Sequence, residues 1–383
     1  MSSINNPGSA ADSMNVGGGI VTTPFSASFL VNGIGPVGEV EVNSFPVANN
    51  RPCMIEVPIS LVNAQRTVNK VYYNGTGYPL LVFAYQYFSG SGDANITVTA
   101  NIGTSSVPAT PVYNAVCGNH VDAGYPVLFF VPAGYYYEIT HGSATTPNLS
   151  VWREWICQNG AWSASSDLSG SRSSGTVYQN NSSSTLFVSV QCSSVSSTST
   201  VTAVSDITPG PLNTVDEQEN TSSSSGPITL FFLVPPYHYY KVTAASGSIA
   251  HWYEYTWSIP CTKSADLVLT TGQGQSRTGN AYSASLNSGA SNVTCNVPQM
   301  WINDPFRVRW VQIICANSAA DSQQSIYTDA GLPPYTTSDS QTPVTGSAPC
   351  TVKCPVMPGM IYMFTSGTSG TLTVSHWWEY QLG

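Results

Sequence analysis

Nine cysteines, five histidines and a Trp-x-Glu element that occurs three times are the residues of this chain whose types and spacing could do chemistry. The cysteines are Cys53, Cys117, Cys157, Cys192, Cys261, Cys295, Cys315, Cys350 and Cys354. Cys350 and Cys354 invite a metal reading, with Cys295 and Cys315 near them in sequence. Structural zinc sites usually present C-x2-C or similar knuckles, and the x3 spacing here is a weaker match. If residues 350–354 form a strand, the two Cα atoms stand about 13 Å apart at ~3.3 Å per residue. That is beyond the ~7 Å limit for a mutual disulfide. Three uses stay open for the set: small buried hydrophobes, disulfides closed after exposure to an oxidising medium, and zinc. The odd number leaves at least one sulfur without a partner in the chain. Made in a reducing cytosol, the chain is expected to fold with free thiols, and no metal or cofactor is assigned.

The remaining chemical signals are thin. His120, His141, His238, His251 and His376 are scattered, with no ligand spacing beyond Cys117 to His120. No G-x-S-x-G elbow and no H-E-x-x-H occurs. Residues Gly33 to Gly38 match G-x-G-x-x-G, but Pro36 lies inside the match. A strand-like Glu39-Val40-Glu41-Val42 also follows where a dinucleotide fold needs a helix. Asp216, Glu217 and Glu219 form one acidic cluster beside a Ser-rich stretch and read as a solvated loop. No paired-carboxylate constellation for glycan cleavage can be assembled. The chain is expected not to be an enzyme.

What repeats is framework. The first copy has Val131-Pro132-Ala133-Gly134-Tyr135-Tyr136-Tyr137, then Trp152-Arg153-Glu154-Trp155. The second has Val234-Pro235-Pro236-Tyr237-His238-Tyr239-Tyr240, then Trp252-Tyr253-Glu254-Tyr255. The third has Met357-Pro358-Gly359-Met360-Ile361-Tyr362, read as one residue shorter, then Trp377-Trp378-Glu379-Tyr380. An Asn precedes each: Asn74, Asn180 and Asn303, lying 58, 55 and 55 residues before Pro132, Pro235 and Pro358. Pro fixes φ and lacks a donor, so it suits a sheet corner. In a strand Trp152 and Glu154 share one face. Pro132, Tyr137, Trp152, Glu154, Pro235, Tyr240, Trp252, Glu254, Pro358, Tyr362, Trp377 and Glu379 are therefore the expected framework, the Trp sealing a core and the Glu meeting an amide or a cation. A sugar-stacking platform is the alternative use. Tyr joins large area to a polar tip, so Tyr135, Tyr136, Tyr237 and Tyr239 are candidate interface residues.

These residues need elements to hold them, and the composition says which kind. Of 383 residues only 8% are charged, where roughly 25% is usual; 42% are hydrophobic and 21 are Tyr. Disordered chains are rich in charge and poor in aromatics, so a packed protein is expected. A net charge of −9 without a basic cluster argues against nucleic-acid binding. The longest apolar runs, Val127–Val131 and Leu230–Val234, are strand-sized and far below the ~20 residues that span a bilayer. No positive n-region with an apolar run opens the chain, so no export signal is recognised. Short Val-, Thr-, Tyr- and Phe-rich segments between Gly, Pro, Ser and Asn predict antiparallel strands. The expected fold is all-β: three tandem antiparallel β-sandwich domains, jelly-roll-like or Ig-like, at 51–157, 158–257 and 258–383. Residues 1–50 are expected to be an extended attachment arm, with strands at 26–31 and 38–42 and docking through Phe25, Phe29 and Phe45.

The repeat, with its Asn, apolar strand, V-P-x-G turn and W-x-E, resembles β-sandwich modules of tailed-bacteriophage fibre and appendage proteins. Val40-Glu41-Val42-Asn43-Ser44-Phe45-Pro46 is similar to the V-x-V-x-x-F-P linkers that precede such modules. The resemblance covers most of residues 39–383. It implies a virion structural protein, commonly homotrimeric, attached through its N-terminal part to other virion proteins and exposed at its C-terminal part. The cysteine content and the lack of a long shaft depart from that pattern. They leave the position open between tail fibre, neck or collar fibre, and capsid decoration. The expected location is the virion surface, after assembly in the host cytoplasm and release by lysis, with host glycan as a further contact. A secreted or surface lectin-like adhesin is the alternative.

Overall fold

The structure is a computed structural model. It describes residues 14–16 and 19–21 and, with gaps of which the longest are 264–284 and 288–299, residues 52–383. Met1–Arg51 and Pro52–Gly383 are two units. In the first, β1 (Met14–Val16) pairs antiparallel with β2 (Gly19–Val21). The strands expected at 26–31 and 38–42, the Gly33–Gly38 match, and Phe25, Phe29 and Phe45 lie outside the described residues.

The second unit carries the same eight-strand order three times. The first set is β3 (Met54–Glu56), β4 (Tyr72–Tyr73), β5 (Leu80–Phe88), β6 (Ile96–Gly103), β7 (Thr110–Cys117), β8 (Ala123–Val131), β9 (Tyr136–His141) and β10 (Asn148–Cys157). The second set is β11 (Trp162–Ala164), β12 (Val177–Gln179), β13 (Thr185–Val195), β14 (Thr200–Asp206), β15 (Thr214–Glu219), β16 (Gly226–Val234), β17 (Tyr239–Ala244) and β18 (Ser248–Trp257). The third set is β19 (Cys261–Lys263), β21 (Met300–Ile302), β22 (Val308–Asn317), β23 (Gln324–Asp329), β24 (Thr337–Gln341), β25 (Cys350–Val356), β26 (Ile361–Ser366) and β27 (Thr371–Leu382), with β20 (Ser285–Asn287) added on β27. In each set one sheet orders its strands first-eighth-third-sixth and the other second-seventh-fourth-fifth. No sheet is a simple meander. Among the described residues only Val62 and Gln65 are α-helical, one turn closed by the Arg66 N–H on Val62 O at 3.0 Å.

Burial explains how the sheets associate. Strands β6 and β14 alternate buried with half-buried residues, as strands do when one face meets solvent. Strands β13, β16, β22 and β25 are buried almost throughout, so both of their faces are covered. What covers the second face is the next repeat: β7 packs on β16, β15 on β25, and β24 on β8, which closes a circuit. An aromatic cluster joins all three. Phe130 meets Phe187 at 5.2 Å and Phe231 at 5.5 Å between ring centroids, and Phe187 meets Trp310 at 5.3 Å. One buried apolar cluster runs from Cys53 to Leu382, and a second, around Val311, Cys350 and Trp377, belongs to the third repeat.

The all-β class stands, but the three tandem β-sandwich domains, jelly-roll-like or Ig-like, are corrected. The six small sheets are arranged as a β-propeller ring inside one compact unit. The physical reason is the shared core: Phe130 of the first repeat, Phe187 and Phe231 of the second and Trp310 of the third shield one another from water, where separate domains would each seal their own.

Candidate functional site

The repeated residues build three copies of one polar network. Glu154 Oε1 accepts from Trp152 Nε1 at 3.0 Å and from the Tyr137 hydroxyl at 2.6 Å, while Arg66 donates to both carboxylate oxygens at 2.8 and 3.1 Å. Glu254 accepts from Trp252 at 3.0 Å, Tyr240 at 2.6 Å, and Arg172 at 3.0 and 3.3 Å. Glu379 accepts from Trp377 and Tyr362, each at 2.8 Å, and from Arg309 at 2.6 Å. Burial, then the charge of Glu154, Glu254 or Glu379, pushes the Tyr137, Tyr240 and Tyr362 hydroxyls well above the usual phenol range, so each stays a proton donor. The arginines escaped the sequence reading. Arg66 and Arg172 lie 88 and 82 residues from their carboxylates, and no local signal marks them.

The Asn residues are clamps. Asn74 Nδ2 donates to the carbonyls of Tyr78, Val131 and Pro132 at 2.8 to 3.1 Å. Asn180 holds Ser184, Val234 and Pro235 in the same way, and Asn303 holds Arg307, Val356 and Met357. The position filled by Pro132 and Pro235 is thus Met357 in the third copy; Pro358 stands one place later, and the stretch from the clamped residue to Tyr137, Tyr240 or Tyr362 has one length in all three copies. Two places after the clamped Pro or Met the backbone turns left-handed, at Gly134 (φ 78), Tyr237 (φ 63) and Gly359 (φ 70). Tyr237 holds a conformation that favours Gly while half exposed, at 52%. Tyr136 packs its ring 4.8 Å from Tyr73, and Tyr135 and Tyr239 are half-buried.

Among the described residues seven cysteines are buried and in no disulfide: Cys53, Cys157, Cys192, Cys261, Cys315, Cys350 and Cys354. Burial pushes the Cys53 and Cys192 thiols up to about 12, the signature of inert packing sulfurs. Cys315 and Cys350 face each other across β22 and β25 with Sγ atoms 4.0 Å apart. Cys295 and the Cys117 side chain lie outside the described residues, as does His120. His251 Nδ1 pairs with Asp167 at 2.6 Å. Among the described residues no group of three ligating side chains could hold a metal ion.

The acidic cluster is not a solvated loop. Asp216, Glu217 and Glu219 lie in β15, at the junction of the second and third repeats, and Asp216 is fully buried. Burial first, then the charges of Asp216 and Glu219, raises Glu217 above the usual carboxylate range. Two junctions share a hydroxyl clamp. Thr229 Oγ1 receives the Asn114 N–H at 2.9 Å and donates to Asn114 O at 2.6 Å. Thr351 Oγ1 does the same with Glu217 at 2.9 and 3.1 Å. At the third junction Arg153, paired with Glu56 at 2.6 Å, donates to Thr328 Oγ1 at 2.8 Å.

Where the three repeats converge lies a cavity of about 50 Å³ with walls from all of them, among them Tyr113 and Leu128, Phe231 and Gln218, and Asp339 and Lys353. Lys353 Nζ lies against Asp216 Oδ2 and also donates to Phe231 O at 2.8 Å. Asp339 Oδ2 accepts the Lys353 backbone N–H at 2.5 Å. Burial, in part offset by that bond, raises the Asp339 carboxyl to about 7. The sequence reading placed Asp216 in a loop and missed its neighbours Lys353 and Asp339. The signal was Lys353 itself, a cation inside the otherwise uncharged strand Cys350–Val356.

No protein-family model matches the chain, and no curated protein matches it. Among solved structures it is similar to VP2 of infectious bursal disease virus in a subviral particle, at 13% identity over 83% of this chain and 73% of that one, with a TM-score of 0.18. The structure of the Gx strain of that virus shares 11% identity over 85% and 78%, with a TM-score of 0.18. The PBSX exported protein XepA shares 9% over 60% of this chain and 90% of its own, with a TM-score of 0.17. Overall similarity this slight carries nothing about activity or partners.

Proposed function

We propose that the chain is a non-enzymatic structural component of a bacteriophage virion, forming a surface appendage or a capsid decoration. The observation that supports this most is the internal use of every repeated polar group. Glu154, Glu254 and Glu379 each hold a Trp, a Tyr and an Arg, and Asn74, Asn180 and Asn303 each tie three carbonyls. A group held by three partners of its own chain stiffens a frame and has little left for a substrate. The low charge agrees with a protein packed among copies of itself, where like charges repel. In this reading the partners are further copies of the chain, in a homotrimer, and other virion proteins reached through residues 1–50. The half-exposed Tyr73 and Tyr237 are the aromatic surface offered to a host glycan.

Purified particles from a lysate, labelled with an antibody to this chain and imaged by negative stain, test the proposal. Label at a fixed position on the particle is expected. Particles free of label, with the protein soluble in the medium and retained on a glycan column, would favour the adhesin and overturn the structural assignment.

A further inference from the structure

The second junction sets a lysine amine against a carboxylate in a place that water hardly reaches. The Lys353 and Asp216 side chains are 7% and 0% exposed. Asp216 Oδ2 also takes the Phe231 N–H at 2.8 Å, while Oδ1 meets no protein donor. The Asp339 Oδ1 atom likewise meets none. An amine and a carboxylate held in contact away from water have the geometry that amide condensation needs, with reactants already oriented.

Register shows why this happens at one junction only. Tyr113, Asp216 and Asp339 are equivalent: they stand opposite Ala100, Ala203 and Ile326, each next to a bulge. Leu128, Phe231 and Lys353 are equivalent too. They pair with Phe83, Ser189 and Gln312, each one residue past the partner of Glu154, Glu254 or Glu379. Around the ring, therefore, Tyr113 has Phe231 as its counterpart, Asp216 has Lys353, and Asp339 has Leu128. One junction brings an amine to an acid. The next sets an acid, Asp339, opposite an apolar residue, and burial keeps its proton on to a higher pH than usual.

We propose that Lys353 and Asp216 join in an isopeptide bond that ties the third repeat covalently to the second, with Asp339 as the proton carrier. A proton passes from the Lys353 ammonium to the Asp216 carboxylate, leaving a free amine and a carboxylic acid. The Nζ lone pair attacks Asp216 Cγ and forms the C–N bond. Asp339 donates its proton to the departing oxygen as the C–O bond breaks and regains one from the nitrogen, so it ends as it began. Ammonium and carboxylate become amide and one water, with no oxidant or co-reactant. The adjoining cavity, about 50 Å³ and lined by both Lys353 and Asp339, has room for the water released, whose share of liquid volume is roughly 30 Å³. The bond does not depend on the virion reading; it follows from the junction alone.

Intact-mass measurement on the denatured full chain, followed by tryptic peptide mapping, tests it. The expected result is a chain lighter by one water, with the Lys353 peptide joined to the Asp216 peptide and no cleavage after Lys353. A chain of full mass, cut after Lys353 and yielding linear peptides, overturns the bond. A mass loss mapped to any other site overturns it equally. Lys353→Arg keeps the charge and is expected at full mass. Asp339→Asn, purified as folded protein, is expected to accumulate the linked form at least tenfold more slowly; linking at the unchanged rate would remove Asp339 from the mechanism. If either variant fails to fold, the unmodified chain still decides the question.

Discussion

Glu379 and Arg309 are the most deeply buried of the three repeated ion pairs. Their side chains are 0% and 7% exposed, against 14% and 25% for Glu254 and Arg172. Removing one partner of a buried pair strands the other, at about 3–5 kcal/mol, whereas exposed pairs are worth about 1 kcal/mol or less. Glu379→Gln should therefore destabilise by about 3–5 kcal/mol and Glu254→Gln by clearly less, read from urea midpoints at constant slope. Equal losses would mean that the Trp and Tyr hydrogen bonds, which all three share, carry the effect. Asp339 gives a pH signature at the same scale. Its carboxyl is raised from 3.8 to about 7 in the folded chain. Between these values the folded state holds a proton that the unfolded state has lost, so this group's contribution falls as pH rises through the window. Urea midpoints should drop from about pH 4 to about pH 7, and Asp339→Asn, which stays neutral throughout, should flatten that part of the slope.

At the scale of elements, the junction between β7 and β16 is tight enough to read in one glycine. A Cβ built on Gly226 overlaps the Val116 side chain of the neighbouring repeat. Gly226→Ala should cost about 1–3 kcal/mol through overpacking. Val116→Ala in the same chain should recover part of it, giving a measurable coupling energy in a double-mutant cycle. Additive losses would place the strain inside the second repeat. The strands themselves were legible in the sequence, because β-branched and aromatic runs between turn residues carry a local signal. So were the framework positions around Pro132, Glu154 and their counterparts. The offset of Pro358 was not, because a Pro one place along looks like the same motif until Asn303 is seen to hold Met357 O. The ring was not legible either. Its contacts join residues such as Lys353 and Asp216, 137 positions apart, and strands buried on both faces look like ordinary apolar strands until their second neighbour is known.

For the molecule as a whole, the circuit of β7 on β16, β15 on β25 and β24 on β8 makes three repeats interdependent within the unit Pro52–Gly383. Each repeat alone would expose the apolar face that its neighbour now covers: Phe130 in the first, Phe187 and Phe231 in the second, Trp310 in the third. Buried apolar area is worth about 25 cal/mol per Å², so a detached repeat forfeits a large part of what holds it folded. Scanning calorimetry of the full chain tests this most directly, by comparing the calorimetric with the van't Hoff enthalpy. Closure of the ring predicts one cooperative transition for residues 52–383, with the two enthalpies in agreement. Two or three resolved transitions, with a calorimetric enthalpy well above the van't Hoff value, would show repeats that fold independently and would contradict the account.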